Sequence, residues 1–158
     1  MPKQRVVILM GSKNDLSFTE PMCRTLKQFG IIFDRRIASA HKTPRKVLEI
    51  LEGYECSKEK IVYITVAGRA NALSGFVDAN TKRPVIACSP YSEKFAGVDI
   101  YSSLRVPSGV APLVILEPEN AALAAVKILA IEDAELSEKI VRYQRKMKKK
   151  IDKDDREL

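Results

Sequence analysis

"RVVILMG", residues 5 to 11, is the stretch on which the fold turns. It is short, rich in β-branched residues and closed by a glycine, so it reads as a strand. Its apolar residues run on without alternation, which leaves neither face for water. Strands of that kind belong to a parallel sheet covered on both sides. Outward from it the pattern recurs. "KIVYITVAG" (60–68) is a second buried run, and "IIFDRRIAS" (31–39), "RPVIACSP" (83–90) and "APLVILEP" (111–118) read as three further strands. Helical segments fall between them. In "DLSFTEPMCRTLKQFG" (15–30), Asp15 can cap the start and Gly30 the end, with Leu16, Met22, Leu26 and Phe29 near helical spacing. Pro21 is out of place there unless it lies in the first turns. "TPRKVLEILEGY" (43–54) opens with a cap-like threonine and a proline at the first helical position. Residues 71–81 predict a weak helix, 99–105 a short one and 119–131 an alanine-rich one suited to close packing on a sheet.

The last segment, 133–151, predicts a long amphipathic helix with Leu136, Ile140, Tyr143 and Met147 on one face, long enough to pack on a neighbouring subunit. Strand and helix thus alternate from start to end. The expected fold is α/β: a three-layer αβα arrangement around a doubly wound parallel sheet, flavodoxin-like, with a long C-terminal helix. One domain is expected over 1–158, with its core at about 5–131.

The 158 residues are 46% hydrophobic and 30% charged, as in soluble globular chains. Cys23, Cys56 and Cys88 form no CxxC pair, and with one histidine in the chain a Cys/His zinc site is not expected. Reduced thiols in a cytoplasmic protein are the simplest expectation. No apolar run approaches the roughly 20 residues that span a bilayer, so no membrane association is expected. The net charge of +7 raises the alternative of a basic nucleic-acid-binding module. Residues 138–158 hold nine Lys/Arg against five Asp/Glu, so over half of the excess lies in the final helix. Such a run reads as a solvated helix face, and only Tyr143 interleaves it with an aromatic ring.

In an open α/β sheet the ligand sits beyond the carboxyl ends of the strands. The loops there are "GSKND" (11–15), "SAHKT" (39–43), "AGRANALSG" (67–75), "CSPYSEKFAG" (88–97) and "EPEN" (117–120). Gly11 and Ser12 before a helix start form either an anion-binding turn or a plain capped turn. Neither the G-x-x-x-x-G-K-[ST] loop nor the G-x-G-x-x-G fingerprint is present. Asp15 can cap the helix or accept from ribose hydroxyls. His41 is the lone imidazole, the group able to exchange a proton near neutral pH, and Lys42 beside it is a point charge for phosphate or carboxylate. Read locally, His41 is equally a reactive group or a polar residue of a turn. Gly68 and Gly75 flank Arg69 and Asn71, where backbone can approach a ligand or simply turn tightly.

Taken together, "MGSKND", "SAHKTP", "AGRANALSGFVD", "PVIAC", "YSSLRVPSGV" and "NAALAAVKI" resemble the PurE family, phosphoribosylaminoimidazole carboxylase of purine biosynthesis, from about residue 6 to 135. That family has a mutase branch, which typically reads "SAHRTP" and "AGAGGAAHLPG". Its CO2-using carboxylase branch typically reads "SAHK", "AGRSNALSG" and "SSLRMPSG". Lys42, "AGRANALSG" and "SSLRVPSG" are closer to the second, and the mutase's second histidine is absent. The resemblance implies carboxylation of 5-aminoimidazole ribonucleotide (AIR) at C4, with CO2 as co-substrate and no cofactor or metal. The N5-carboxyaminoimidazole ribonucleotide mutase activity is the alternative. His41 would be the catalytic residue. Ser12 and Ser39 would hold phosphate, Asp15 the ribose and Lys42 phosphate or carboxylate. Gly68, Arg69, Ala70, Asn71 and Ala72 would line the base and CO2 pocket. Three positions depart from the family pattern: Asn14 and Ala70 each stand where a serine is usual, and "CSP" (88–90) stands where "CPP" is usual. The resemblance also implies a homo-oligomer, tetramer or octamer.

Overall fold

The computed structural model describes residues 3–157, the side chain of Phe95 excepted. Residues 1, 2 and 158 of the expected domain lie outside the described residues. The elements are β1 (Gln4–Met10), α1 (Leu16–Phe29), β2 (Ile32–Ile37), α2 (Pro44–Glu55), β3 (Lys60–Val66), α3 (Ala72–Asp78), β4 (Val85–Ala87), α4 (Tyr101–Leu104), β5 (Leu113–Val114), α5 (Pro118–Leu129) and α6 (Ala134–Arg156). All strand pairs are parallel, in the order β2-β1-β3-β4-β5.

β1 and β3 lie at the centre, and this is why their sequences are apolar throughout. Val6, Ile8 and Met10 pack on one face against Met22 and Leu26 of α1 and Ala121, Ala122 and Ala125 of α5. Val7 and Leu9 point the other way, against Val47, Ile50 and Leu51 of α2 and Leu73 and Val77 of α3. All five of these β1 side chains are fully buried. Truncating a core residue such as Ile8 to alanine costs about 2–5 kcal/mol in sites of this kind. The alanines of α5 have no bulk to hold the helix away from α1 and the sheet, in line with its composition. α6 adds Leu136 and Ile140 to the same face, and Tyr143 meets Phe29 edge-on with ring centroids 5.4 Å apart.

Four details differ from the sequence reading. β2 is an edge strand with its residues half-buried or exposed, Ile32 and Ile37 included, so the sheet is not covered on both sides there. β4 and β5 shrink to three and two residues, because Pro84 and Pro112 lack the N–H that a ladder needs. α6 runs on to Arg156 rather than stopping at 151. Its last two turns are fully solvated and carry a Lys153–Glu157 pair of i,i+4 spacing. Pro21 lies in the second turn of α1, not the first. It has no N–H to give to the carbonyl four residues back. Gly30 ends α1 as expected, in the left-handed conformation that suits glycine (φ 75°).

Cys23 and Cys88 are buried and Cys56 is exposed, all three as free thiols. No helix of the described residues is long and apolar enough to cross a membrane. Among the described residues no group of three His, Cys, Asp or Glu is placed to hold a metal ion.

Candidate active site

The chain starts in the middle of the sheet, at β1. It crosses to β2 by α1 on one face and returns to β3 by α2 on the other. That reversal splays the loops after β1 and β3 and opens a crevice at their carboxyl ends. A cavity of about 310 Å³ lies there, bounded by three loops.

The first loop leaves β1 at Gly11, whose N–H donates to the Val66 carbonyl of β3 (2.9 Å). Ser12 is extended, and the 3-10 turn Lys13–Asp15 leads into α1. Asp15 Oδ2 accepts from the Ser12 N–H (2.9 Å) and the Ser12 hydroxyl (3.2 Å). Asp15 thus closes a capping box on the short 3-10 turn, whereas the side-chain cap of α1 expected of it is not made. Ser12, Asn14 and Asp15 all border the cavity.

The second loop follows β2 and is a compact turn. The Ser39 N–H donates to Thr43 Oγ1 (2.9 Å), the Thr43 N–H to the Ser39 carbonyl (2.8 Å) and the Lys42 N–H to Ser39 Oγ (3.2 Å). His41 lies within this turn, exposed, and faces the cavity together with Ser39, Ala40 and Lys42. Pro44 then starts α2 at its first position, as the sequence implied.

The third loop, after β3, supplies Ala67, Gly68, Arg69 and Ala70, with Leu73 beneath them. Arg69 is in the left-handed region at φ 60°, which is uncommon for a side chain of its size. Lys42 and Arg69 face one carboxylate, Asp15, across the cavity. The local balance therefore favours an anion.

Here the model match applies: residues 5–150 fit the family described as AIR carboxylase. The chain belongs to the AIR carboxylase family. The phosphoribosylaminoimidazole carboxylase of Archaeoglobus fulgidus is 58% identical over 154 residues, which span 98% of this chain and 84% of that one. The Treponema denticola protein of the same name is 49% identical over 153 residues, 97% and 96% of the two chains. A Methanocaldococcus jannaschii protein named N5-carboxyaminoimidazole ribonucleotide mutase is 42% identical over 149 residues, 92% of each. The crystal structure of Treponema denticola PurE superposes with a TM-score of 0.97 at 48% identity, covering 99% of both chains. The chain is therefore an enzyme of purine biosynthesis.

In this AIR carboxylase family member the cavity gathers nine of the sequence-predicted residues: His41, Ser12, Asn14, Asp15, Ser39, Lys42, Gly68, Arg69 and Ala70. Two lie elsewhere. Ala72 is exposed in the first turn of α3. Asn71 turns inward, 5% exposed, and its Oδ1 accepts from the Ser74 N–H (3.2 Å) to cap α3. Its amide donates to Ser89 Oγ (3.1 Å) and Ser103 Oγ (2.9 Å). Ser89, Ser102 and Ser103 are the residues that sequence reasoning did not single out. The "SSLR" motif contained two of them, but nothing in its spacing says which loop they hold.

A second cavity of about 370 Å³ shares Gly68 and Arg69 with the first. Its other walls are largely apolar, with Phe18, Pro90, Tyr91, Ile100, Leu116 and Pro118. Cys88 is buried just below it, at the end of β4, where loss of solvent pushes its thiol up to about 12. That thiol stays neutral, with its sulfur 3.4 Å from the Leu116 carbonyl.

Proposed function

We propose that this enzyme adds CO2 to C4 of AIR, giving 4-carboxy-AIR, with no metal or organic cofactor. The observation that carries the reading is His41, the chain's one histidine, in a single cavity with Ser12, Ser39, Lys42 and Arg69. Support for the CO2-using branch comes from Lys42, "AGRANALSG" and "SSLRVPSG". The Archaeoglobus fulgidus and Treponema denticola proteins named carboxylases, at 58% and 49%, are also more similar to this chain than the Methanocaldococcus jannaschii protein named mutase, at 42%.

In this reading the phosphate lies against the Ser12 and Ser39 loops, where free N–H groups, hydroxyls and Lys42 can meet it. Asp15 accepts from ribose hydroxyls once a substrate competes for its oxygens. C4 of AIR is enamine-like, because the 5-amino group pushes electrons into it. The remaining task is to hold CO2 against that carbon. As the C4–C bond forms, an electron pair moves onto a CO2 oxygen. Lys42 and the backbone N–H groups of residues 68–70 stabilise that carboxylate. The adduct still carries its C4 proton. Neutral His41 takes it and the imidazole ring of the substrate regains aromaticity. In reverse, His41 returns the proton to C4 and CO2 leaves. The enzyme works as a homo-oligomer in this reading, with exposed Met147 on the final helix and exposed Tyr101 and Leu104 in segment 99–110 as candidates for contact with other subunits.

The test supplies AIR with CO2 or bicarbonate, and separately the N5-carboxylated isomer. Turnover of AIR with CO2 is expected; activity on the isomer alone would make the protein a mutase. His41→Asn is expected to keep AIR binding and lower kcat by about 10²–10⁴-fold, with C4 proton exchange lost.

A further inference from the structure

We propose that Ser102, on α4, is a positioning residue for carboxylation: it holds residues 69–71 in the shape that forms the base and CO2 wall of the cavity. The inference rests on the carboxylase reading above, since it assigns that wall to the reacting end of the substrate.

The wall has an unfavourable backbone. Arg69 adopts a left-handed φ of 60°, where a residue with a Cβ is held only if its surroundings over-determine it. Residues 68–71 lie between β3 and α3, outside both ladders, so their polar backbone groups need other partners. Ser102 provides them from 31 residues away. Its Oγ accepts from the Asn71 N–H (3.0 Å). The hydroxyl's single proton has two carbonyls in reach, Asp99 at 2.7 Å and Arg69 at 3.2 Å. Ser102 thus joins the 3-10 turn Val98–Ile100 to the carbonyl of the left-handed Arg69 and to the N–H two residues after it.

A second layer lies beneath. The Asn71 amide reaches Ser103 of α4 and Ser89 beyond β4, and those two hydroxyls are 3.1 Å from each other. Asn71 therefore anchors the loop to the protein, and Ser102 sets the conformation of the part that faces the cavity. The two other loops of the site have no contact of this kind with α4. Ser12 is held by Asp15 and Ser39 by Thr43, within their own turns. Loosening Ser102 should disturb the reacting end and leave phosphate and ribose binding nearly intact.

The experiment compares the full-length enzyme with Ser102→Ala and Ser102→Thr. For Ser102→Ala the expected result is a kcat lower by about 10–100-fold, a raised KM for CO2 and a KM for AIR within about 2-fold. Ser102→Thr keeps the hydroxyl and is expected to recover most of kcat. Amide hydrogen exchange at residues 69–72 should be faster in Ser102→Ala and unchanged in Ser102→Thr. Wild-type kcat and KM for CO2 in Ser102→Ala would overturn the proposal. So would a loss of thermal stability alone, with unchanged kcat per folded enzyme. If the wild type acts only on the N5-carboxylated isomer, the carboxylase reading fails. The same kcat split on that substrate, with the exchange pattern, then decides the role of Ser102 separately. Exchange at 69–72 that is equal in Ser102→Ala and wild type would overturn it whatever the substrate.

Discussion

Two walls of one cavity are built in opposite ways. The wall that the proposed function gives to phosphate and ribose, residues 12–15 and 39–43, is tied within itself. Its bonds join residues three or four apart: Ser12 with Asp15, Ser39 with Thr43, Lys42 with Ser39. The opposite wall, residues 68–70, is held from a distance, through Asn71 behind it, by Ser89, Ser102 and Ser103. A locally tied loop forms as soon as its own turn forms. A loop tied from afar depends on α4 being docked first. The first wall should be a stable feature of the sheet end, and the second an adjustable one.

Asn71→Ala is the sharpest way to break that contrast. It removes the cap of α3 and the shared partner of two buried hydroxyls. A loss of about 2–3 kcal/mol is expected, read as a lower urea midpoint with unchanged slope, and AIR turnover should fall with it. Thr43→Ala breaks the local wall. It removes the acceptor for the Ser39 N–H and should cost about 1 kcal/mol. Because His41 and Lys42 sit in that turn, a lower kcat is expected together with weaker AIR binding. Arg69→Gly removes the side chain at the left-handed position. Relief of strain and greater unfolded-chain entropy nearly cancel, so stability should stay within about 0.5 kcal/mol. A change in kcat would then report the guanidinium itself.

The smallest effect on activity concerns neither wall and serves as the control. At the amino end of β1, Arg5 donates to Glu59 (2.7 Å) and Asp34 (2.8 Å). The hydrogen bond from Arg5 holds the Glu59 carboxyl below its ordinary range. A carboxylate lowered on folding stabilises the fold at pH above its unfolded value, and that contribution fades as pH falls through the folded value. Glu59→Gln should therefore cost less than about 1 kcal/mol at neutral pH. The gap from wild type should close in acid, with kcat unaffected throughout.

The same contrast explains what could be read in the sequence. Strand runs, helix caps and the alternation of elements are local, and they predicted the layers, Gly30, Pro44 and the parallel sheet. The turn of residues 39–43 is local too, and His41 and Lys42 could be placed at a strand end. The edge exposure of β2 was hidden, because "IIFDRRI" does not say which strand lies beside it. β5 was overread, since the proline at 112 counts for more than the apolar run after it. α6 was underread, because "DKDDR" lacks apolar periodicity and continues the helix on charge alone. Asn71 looked like a pocket residue for a similar reason. Its partners lie 18 and 32 residues on, and no spacing in the chain reveals a contact of that span.

The three cysteines have a consequence of their own. Cys56 lies open, Cys23 is buried on the inner face of α1, and Cys88 is buried at the end of β4. A thiol reagent will mark the first at once and must wait for the protein to open before it reaches the others. Since Cys88 precedes Ser89, an opening of the Ser89–Asn71–Ser103 cluster should speed its labelling, and faster labelling in Asn71→Ala than in wild type would show that link. The chain would thus carry a reporter on its own adjustable wall, readable without any substrate.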